Sequence, residues 1–214
     1  RRQRQMCIRD SAQNGILRQG KRGMRNRRGI VSNSKEVICE ALRECMRKQP
    51  LASISIQGVC DKAGLSRKTF SRNFVHLQEV VAHQIFLDFS QPMCELNRIM
   101  GDYLVGNETI FSRNLHTLKQ HQSYYEDVAA TYGKSWLWEQ FAHAALSVDF
   151  DPYDQHQLNA TEHSFVEHFY AYAVASTYRW WMDEGMQTPV EDVARMIDRW
   201  LYARSNELNE RGRS

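Results

Sequence analysis

The sequence predicts an all-α protein, and two observations support that fold class. Apolar residues recur at helical spacing in most stretches between Ser34 and Leu201, whereas no run alternates apolar and polar residues for long enough to indicate a β-strand. Glycine and proline residues then divide the chain into candidate helices, because both residue types interrupt regular structure.

Composition is that of an ordinary globular chain, with 42% hydrophobic and 25% charged residues in 214. No stretch approaches the roughly 18 apolar residues of a membrane span, and the basic N-terminus lacks the apolar run of a secretory signal, so a cytoplasmic protein is expected. The five cysteines are odd in number and form no Cys-x-x-Cys pair, which predicts neither a disulfide framework nor a zinc site. Packing is their expected role, with a redox sensor as the alternative.

Charge is unevenly distributed along the chain. The net charge is +9 over residues 1–30, +4 over residues 34–76 and −10 over residues 77–214. A basic front and an acidic body suit a protein that presents one end to a polyanion. Residues 1–31 are predicted to be a disordered basic arm. Its string from Arg4 to Ser11 resembles translated read-through, so residues 1–23 are assigned no role in the fold and Met24 is a candidate start.

The first helix is predicted from Ser34 to Arg47. Asn33 or Ser34 supplies its N-cap, and Pro50 ends the element. One face of this helix collects apolar side chains, namely Val37, Ile38, Ala41, Leu42, Cys45 and Met46.

A helix-turn-helix is predicted between Ser55 and Phe74. Ser55 caps a short helix with apolar Ile56, Val59, Cys60 and Ala63, and Gly64 ends it at a tight turn. Ser66 caps a second short helix that directs Phe70 and Phe74 inward and a basic polar face outward. An ordinary helix pair with solvated charges is the alternative, but it does not explain a cluster of Arg, Lys, Thr and Asn that contains no carboxylate.

This region resembles the DNA-binding domain of the TetR family over about residues 32–88. The matching residues, in the same spacing, are Ser55, Val59, Cys60, Ala63, Gly64, Leu65, Ser66, Thr69, Phe70 and Phe74. The resemblance implies a helix-turn-helix DNA-binding domain at residues 32–76, a helical ligand-binding and dimerisation domain at 77–206 and a frayed tail at 207–214. Two positions depart from the family pattern: Ser71 replaces a tyrosine and Leu77 a lysine, both of which usually contact phosphates.

The resemblance also implies which residues contact double-stranded DNA. Arg67 and Lys68, at the exposed start of the second helix, are expected to reach base edges, and arginine is suited to guanine. The other predicted contacts hold phosphates or flank the groove, and they are Ser55, Gln57, Thr69, Ser71, Arg72, Asn73 and His76.

Beyond Leu77 the chain is predicted to remain helical. Helices are expected over residues 77–89, 93–104, 110–121, 124–132 and 136–148, with Pro92 bending or ending the first, Gly101 and Gly106 marking the end of the second, and a loop at 149–154. A long helix at 163–184 is apolar over so much of its circumference that it must be buried on more than one side. Thr188 and Pro189 are expected to open the last helix, as N-cap and first residue.

The surplus apolar surface of the last two helices predicts a homodimer packed as a four-helix bundle, which the TetR resemblance also implies. The alternative is that this surface is intramolecular core. The candidate dimerisation residues are Phe169, Ala173, Trp180, Trp181, Ile197, Trp200 and Leu201.

A pocket for a small apolar or aromatic effector is a further implication of the resemblance. The middle helices are rich in aromatic residues, each of which has core packing as its alternative role. The candidate effector-binding residues are Tyr103, Tyr124, Trp136, Gln140, Phe141 and His143.

No catalytic or cofactor motif is present in the sequence. The eight histidines form no metal-binding pattern, and there is no Gly-rich phosphate loop or Gly-x-Ser-x-Gly elbow. The sequence therefore predicts no enzyme, metal or cofactor, but a dimeric repressor that binds a palindromic operator. The alternative is a TetR-like protein-interaction module with degenerate DNA binding.

Overall fold

The computed structural model describes residues 33–100, 107–148 and 159–202, and within these ranges it contains helices and their connections but no strand. The α-helices are α1 (Ser34–Met46), α2 (Ile56–Ala63), α3 (Arg67–Asn73), α4 (Leu77–Ile85), α5 (Gln91–Met100), α6 (Asn107–Gln120), α7 (Gln122–Tyr132), α8 (Lys134–Leu146), α9 (Ala160–Asp183) and α10 (Val190–Ile197). A 3₁₀ turn covers Leu51–Ser53, and π-helical turns cover Phe86–Ser90 and Asp198–Tyr202. The predicted all-α fold is confirmed.

Helices α1, α2 and α3 pack together around one apolar centre. Ile38 and Leu42 of α1, Val59 of α2 and Phe70 of α3 are almost completely buried there. Asn33 is the N-cap of α1, since its side chain accepts from the Lys35 amide. Burying these side chains removes apolar surface from water and fixes the angle at which α3 leaves the core.

The turn between α2 and α3 depends on Gly64, as predicted. Its φ is +65°, in the left-handed region where a side chain would be strained. The Gly64 and Leu65 amides donate back to the Asp61 and Cys60 carbonyls, which satisfies the end of α2. The glycine therefore sets the sharp change of direction that brings α3 out across α2.

The helix that begins at α4 does not end at Pro92, so of the two predicted effects of this proline, bending or ending the helix, ending is excluded. It continues through the π-helical turn Phe86–Ser90 into α5. Proline lacks an amide hydrogen, and its ring clashes with the carbonyl four residues earlier in a regular α-helix. The extra residue in the π turn widens the backbone before Pro92, and the Ser90 hydroxyl donates to the Ala144 carbonyl at 2.7 Å to fasten this turn against α8.

The remaining helices form the body of the molecule. Helix α9 packs along α8, α10 packs on α6, and α4 contacts both α1 and α8. Aromatic rings occupy the centre of this body, including Phe89, Tyr125, Phe141 and Tyr178. Because α4 is shared, the helix-turn-helix is connected to the body by side-chain packing as well as by the chain itself.

The last helix begins one residue later than the sequence predicts. Pro189 is its N-cap and Val190 its first residue, so Thr188 is not the cap. The Thr188 carbonyl instead accepts from the Trp181 indole at 2.8 Å, and its amide donates to Glu184. These bonds hold Thr188 in the connection from α9. The predicted arm at 1–31, loop at 149–154, Gly101, Gly106 and tail at 207–214 lie outside the described residues.

Candidate nucleic-acid interface and effector pocket

Helix α3 is positioned from both ends by its own sequence. At its start, the Ser66 hydroxyl accepts from the Thr69 amide at 3.1 Å and lies 3.0 Å from the Thr69 hydroxyl. Toward its end, Phe70 and Phe74 are buried with ring centroids 6.0 Å apart. The apolar side of this seven-residue helix is therefore anchored, and its other side is left facing outward.

The outward side of α3 is polar and basic. Arg67, Lys68, Ser71 and Arg72 are all exposed, and they recur at a spacing that keeps them on one face. Within the described residues none of these four side chains forms an ion pair, and α3 contains no carboxylate. This surface therefore carries positive charge that no ion pair of the described residues neutralises, which suits contact with a phosphate backbone.

The other residues predicted to contact DNA are placed nearby, but several already have partners. Ser55 caps α2 by accepting from the Gly58 amide, and Gln57 donates to Asp61. Asn73 is half-buried and donates to the Thr69 carbonyl at 2.8 Å. His76 is exposed at the start of α4 and makes no capping bond. Ser55, Gln57 and Asn73 thus first stabilise the helices that present the interface.

Leu77, just after α3, occupies the position where the family resemblance leads one to expect a lysine. Leu77 is half-buried against the core as the first residue of α4. Val75 beside it is 63% exposed, and its amide donates to the Glu79 carboxylate at 2.8 Å. The start of α4 therefore offers no cationic side chain at that position, and the basic face of α3 must supply the charge.

A buried ion pair joins the helix-turn-helix to the body at the π turn. Arg43 of α1 donates to the Asp88 carboxylate at 2.6 Å, and the Tyr125 hydroxyl donates to the same carboxylate at 2.5 Å. Burial is the main cause that raises the pKa of Tyr125, and the negative charge of Asp88 raises it further. The Tyr125 hydroxyl therefore stays protonated and acts as a donor. Burial is the main cause that lowers the pKa of His121, and the positive charge of Arg43 lowers it further. The His121 ring is therefore favoured in its neutral form, which can accept from Arg43 at 3.4 Å.

Two further contacts strengthen this junction. The Arg43 guanidinium lies 5.4 Å from the centre of the Tyr124 ring, within the range of a cation–π interaction. The Leu51 amide donates to the Asp127 carboxylate of α7 at 2.7 Å. We call the cluster of Arg43, Asp88, Tyr125 and His121 the junction cluster.

An apolar cavity of about 80 Å³ lies within the body, beside the junction cluster. Its wall is formed by the π turn and by helices α5, α6, α8 and α9, through residues that include Phe89, Phe111, Asn114, Phe141, Tyr170 and Tyr178. The Phe89 ring lies 5.9 Å from that of Tyr125, and the Phe141 ring lies 5.5 Å from it. The cavity and the junction cluster therefore share aromatic neighbours.

Most of the residues predicted to bind an effector are elsewhere. Phe141 lines the cavity, whereas Tyr124 is buried against Arg43, Trp136 packs with Tyr132, and His143 is exposed. Gln140 is half-buried outside the cavity wall, and Tyr103 lies outside the described residues. Helical spacing does not show which neighbouring helix covers each face, so it could not indicate which of these side chains line the cavity. Their assignment to an effector stays a prediction.

Sequence reasoning missed the cavity's polar residues. Asn114 and Tyr178 are 7% and 3% exposed and lie side by side. Burial raises the pKa of the Tyr178 hydroxyl, and a hydrogen bond with the Asn114 side chain offsets part of that rise. Asn114 falls in register with Ile110, Phe111 and Leu118 on the buried face of α6, which is a signal visible in the sequence.

The residues predicted to form a dimer interface separate into two groups. Trp181 and Ile197 are almost completely buried inside the subunit, so their assignment to an intersubunit surface was wrong. Phe169, Trp180 and Trp200 are 56%, 46% and 64% exposed, and Ala173 is half-buried. The side chain of Leu201 is outside the described set.

The exposed aromatic residues of α9 form a stripe. Phe165, Phe169, Tyr172 and Trp180 are all exposed and recur at helical spacing on one side of the helix. We call these residues the α9 stripe. Isolated exposed apolar residues are normal, but an aligned aromatic set is typical of an interaction surface.

No group of three or more His, Cys, Asp and Glu side chains among the described residues is arranged to hold a metal ion. None of the helices in that part of the chain combines the length and apolarity needed to cross a membrane.

Comparison with known proteins agrees with this architecture. Residues 108–202 match a TetR-type family model described as the C-terminal region of a transcriptional regulator. The solved structure titled "Dihydroxyacetone kinase operon activator DhaS" aligns at 19% identity over 81% of this chain and 96% of that chain, with a TM-score of 0.53. A TetR transcriptional regulator from Streptococcus agalactiae 2603V aligns at 16% identity over 77% and 90% of the two chains, with a TM-score of 0.42. No curated protein matches the sequence.

Proposed function

We propose that this chain, a transcriptional regulator of the TetR family, binds a palindromic DNA operator as a homodimer and releases it when a small apolar or aromatic molecule binds. The observation that carries the proposal is the exposed basic face of α3, where Arg67, Lys68 and Arg72 lack acidic partners among the described residues. A helix-turn-helix places such a face in the major groove of DNA. We expect the protein to act in the cytoplasm.

Within that face, position assigns different roles to the two arginines. Arg67 begins α3, and the N-terminal residues of a recognition helix are those that reach base edges. Arg72 lies near the other end and is expected to contact phosphate. The exposed Ser71 and His76 flank this contact, and Arg72 and His76 would take over part of the anchoring that a tyrosine and a lysine usually supply.

A two-fold dimer is proposed because one α3 of seven residues covers only part of a binding site. Two copies about 34–36 Å apart would enter successive turns of the same groove. The α9 stripe is the proposed contact between subunits, since it is the largest set of aligned exposed aromatic residues in the described part of the chain.

The cavity in the body is proposed as the effector site. Phe89 lines it, and the residue before Phe89 is Asp88, which holds Arg43 of α1. A ligand that displaces Phe89 or Phe141 would also shift Tyr125, the second donor to Asp88. Such a ligand would alter the angle between α1 and the body, and it would thereby change the distance between the two copies of α3.

Repression is the proposed outcome of DNA binding, because bound protein obstructs a promoter until the effector releases it. One structural neighbour of this fold is titled an operon activator, so the sign of regulation needs its own test. A reporter gene placed behind the selected operator should be silenced by the wild-type protein and restored by Arg67→Ala. A reporter that rises with the wild-type protein would reverse the assignment to activation.

A second candidate function is a protein-interaction module that has lost specific DNA binding. The observation in its favour is the loss of anchoring at the groove: Ser71 is short, and Leu77 is half-buried and uncharged. On this hypothesis α3 would bind an acidic partner through charge alone.

Selection of bound DNA from a random pool distinguishes the two. The full chain should enrich a palindrome, and the double variant Arg67→Ala/Lys68→Ala should lose that enrichment. Lys62→Ala is the matched control, because Lys62 is a cation of α2 that is paired with Glu44 away from the face of α3. Binding without any enriched sequence, and with steep loss in salt, would favour the interaction module.

A further inference from the structure

The corner where α3 ends and α4 begins carries a cation that comes from α1. The Lys35 ammonium lies 5.5 Å from the centre of the Phe74 ring, within the range of a cation–π interaction. Phe74 is the C-cap of α3, and the exposed Val75 and His76 follow it before α4 starts at Leu77. The charge of Lys35 is therefore held at the edge of the surface proposed to contact DNA.

The local structure fixes Lys35 in this place. Its amide donates to the Asn33 side chain at 3.1 Å, which sets Lys35 in the first turn of α1. Lys35 is half-buried, and the Phe74 ring beneath its ammonium is 4% exposed. A lysine stem that lies along an apolar surface leaves its ammonium at the edge that faces water. Packing thus brings the positive charge to the corner and keeps it accessible.

No ion pair of the described residues neutralises this ammonium. The pairs formed there join other cations to their acids, and none of them includes Lys35. Glu79, in the first turn of α4, instead accepts from the Val75 amide at 2.8 Å. Burial is the main cause that lowers the pKa of His83 on α4 to about 4, and the positive charge of Lys35 lowers it further. The charge of Lys35 therefore acts on the corner without an acid to offset it.

The same corner lacks the cation that the family resemblance leads one to expect. Leu77 occupies the position of that lysine and is half-buried and uncharged. Successive Cα atoms are about 3.8 Å apart, so the Cα atoms of Phe74 and Leu77, three residues apart, are separated by at most about 11 Å. Lys35 reaches Phe74 from a different helix. A positive charge absent from α4 is thus present at the corner, supplied by α1.

We infer that Lys35 is a further DNA contact, whose ammonium binds a phosphate beside the recognition groove in place of the lysine that Leu77 replaces. This inference rests on the proposed function, because it adds a residue to the same DNA-binding surface. A phosphate contact carries no direct sequence information, so Lys35 adds affinity for all duplexes alike. Each such contact releases a counterion and steepens the fall of log affinity with log salt concentration by about 0.9.

Lys35→Met tests the contact in the full chain, because methionine keeps an unbranched apolar side chain and removes the charge. Fluorescence anisotropy with the selected operator gives the affinity at several salt concentrations. The slope of log affinity against log salt concentration should become shallower by about 0.9, and affinity at low salt should fall about tenfold. Lys35→Arg keeps the charge and should retain the wild-type slope. A wild-type slope in Lys35→Met would overturn the inference.

Lys48→Met is the matched control. Lys48 is an exposed lysine beyond the opposite end of α1, a helix of 13 residues, and is therefore about 20 Å from Lys35 along the axis. Its removal should leave the slope unchanged, and an equal change in both variants would attribute the effect to net charge and overturn the inference. A merely structural role of Lys35 on Phe74 would lower the thermal midpoint of Lys35→Met but would not change the salt slope of the folded protein.

Neutral phosphates locate the contact and separate this inference from the proposed function. In operators that carry one methylphosphonate at a time, the phosphate bound by Lys35 is the one whose neutralisation weakens the wild type but not Lys35→Met. Equal losses in both proteins at every position would refute the contact while the enriched operator still supports the regulator. Without an enriched operator the proposed function fails, and the salt slopes on a duplex of arbitrary sequence still decide the role of Lys35. Failure to bind any duplex would overturn both.

Discussion

Arg67 and Arg72 lie on one exposed face of α3, and the roles proposed for them predict different losses. Arg67→Ala should weaken binding to the selected operator by about 1–3 kcal/mol and broaden the range of sequences bound, because a base contact is lost. Fluorescence anisotropy with the operator and with single-base variants measures both effects. Unchanged discrimination in this variant would remove Arg67 as the residue that reads sequence.

Arg72→Ala should instead weaken binding to all sequences alike. Loss of one phosphate contact reduces the slope of log affinity against log salt concentration by about one. Anisotropy titrations at several salt concentrations measure this slope, with Lys62→Ala as the control for a cation removed away from the face. A slope equal to that of the wild type would show that Arg72 does not contact phosphate.

His83 provides a pH-dependent term in stability. Its ring centroid lies 5.7 Å from that of Phe74 and 5.9 Å from that of Phe86. Burial chiefly, and the positive charge of Lys35 in addition, lower the pKa of His83 from 6.5 to about 4. Between these two values the unfolded chain binds a proton that the folded protein excludes. The free energy of unfolding should therefore decrease as pH falls from 6.5 towards 4, and His83 should contribute no pH dependence above that window.

Urea denaturation at pH 7.5 and pH 5 tests this contribution. His83→Gln should show a smaller loss of stability between the two pH values than the wild type, and His143→Gln, which alters an exposed imidazole, should not. An identical loss in the wild type and His83→Gln would assign the acid sensitivity to other groups.

Individual site residues differ in how far sequence could predict them. Arg67 and Arg72 were predictable because a short amphipathic helix alone fixes which side faces outward. Asn114 could have been found from its place in an apolar register. Asp88 could not, since its partners Arg43 and Tyr125 are 45 and 37 residues away and only tertiary packing brings them together.

At the scale of elements, the π turn Phe86–Ser90 and helix α1 are held together by the pair of Arg43 and Asp88. Both side chains are close to nine-tenths buried, at 12% and 10% exposed. Removing one partner of a buried pair leaves an uncompensated charge and costs about 3–5 kcal/mol. Asp88→Ala should lower the free energy of unfolding by that amount, whereas Asp88→Asn should cost less because it keeps an acceptor for Arg43 and Tyr125.

The control for this element is an exposed ion pair. Asp183 and Lys134 are 2.7 Å apart but 39% and 64% exposed, so Asp183→Ala should cost only about 0–1 kcal/mol. Urea denaturation of the three variants at one pH gives the comparison. Equal losses for Asp88→Ala and Asp183→Ala would mean that the junction cluster does not join the helix-turn-helix to the body.

The whole molecule was predictable in its order of helices and in its helix-turn-helix, because periodicity and capping are local properties. It was less predictable in which apolar faces would be buried. Trp180 and Trp181 are neighbours in sequence, yet Trp181 is buried while Trp180 is 46% exposed. The difference depends on tertiary packing: Trp181 donates to the Thr188 carbonyl and lies 6.0 Å from Lys119 of α6, while α8 covers one side of α9 and leaves the α9 stripe uncovered.

That uncovered stripe carries the prediction at the scale of the whole molecule. Phe169 lies within it, and Phe169→Glu would place a charge in the middle of an apolar contact between subunits. The wild type should sediment as a dimer at micromolar concentration and Phe169→Glu as a monomer with an unchanged thermal midpoint for the subunit fold. Loss of the dimer in Phe169→Glu should also lower its affinity for the operator, because two linked copies of α3 bind far more tightly than one.

Ala130→Glu is the matched control, since it introduces the same charge at an exposed position on α7. It should remain dimeric and bind the operator as the wild type does. A dimer that persists in Phe169→Glu would move the subunit contact to another surface, whereas a wild-type monomer would leave a single α3 to recognise DNA. In that last case the selected sequence should be a half-site of a few base pairs rather than a palindrome, so sedimentation and selection must agree.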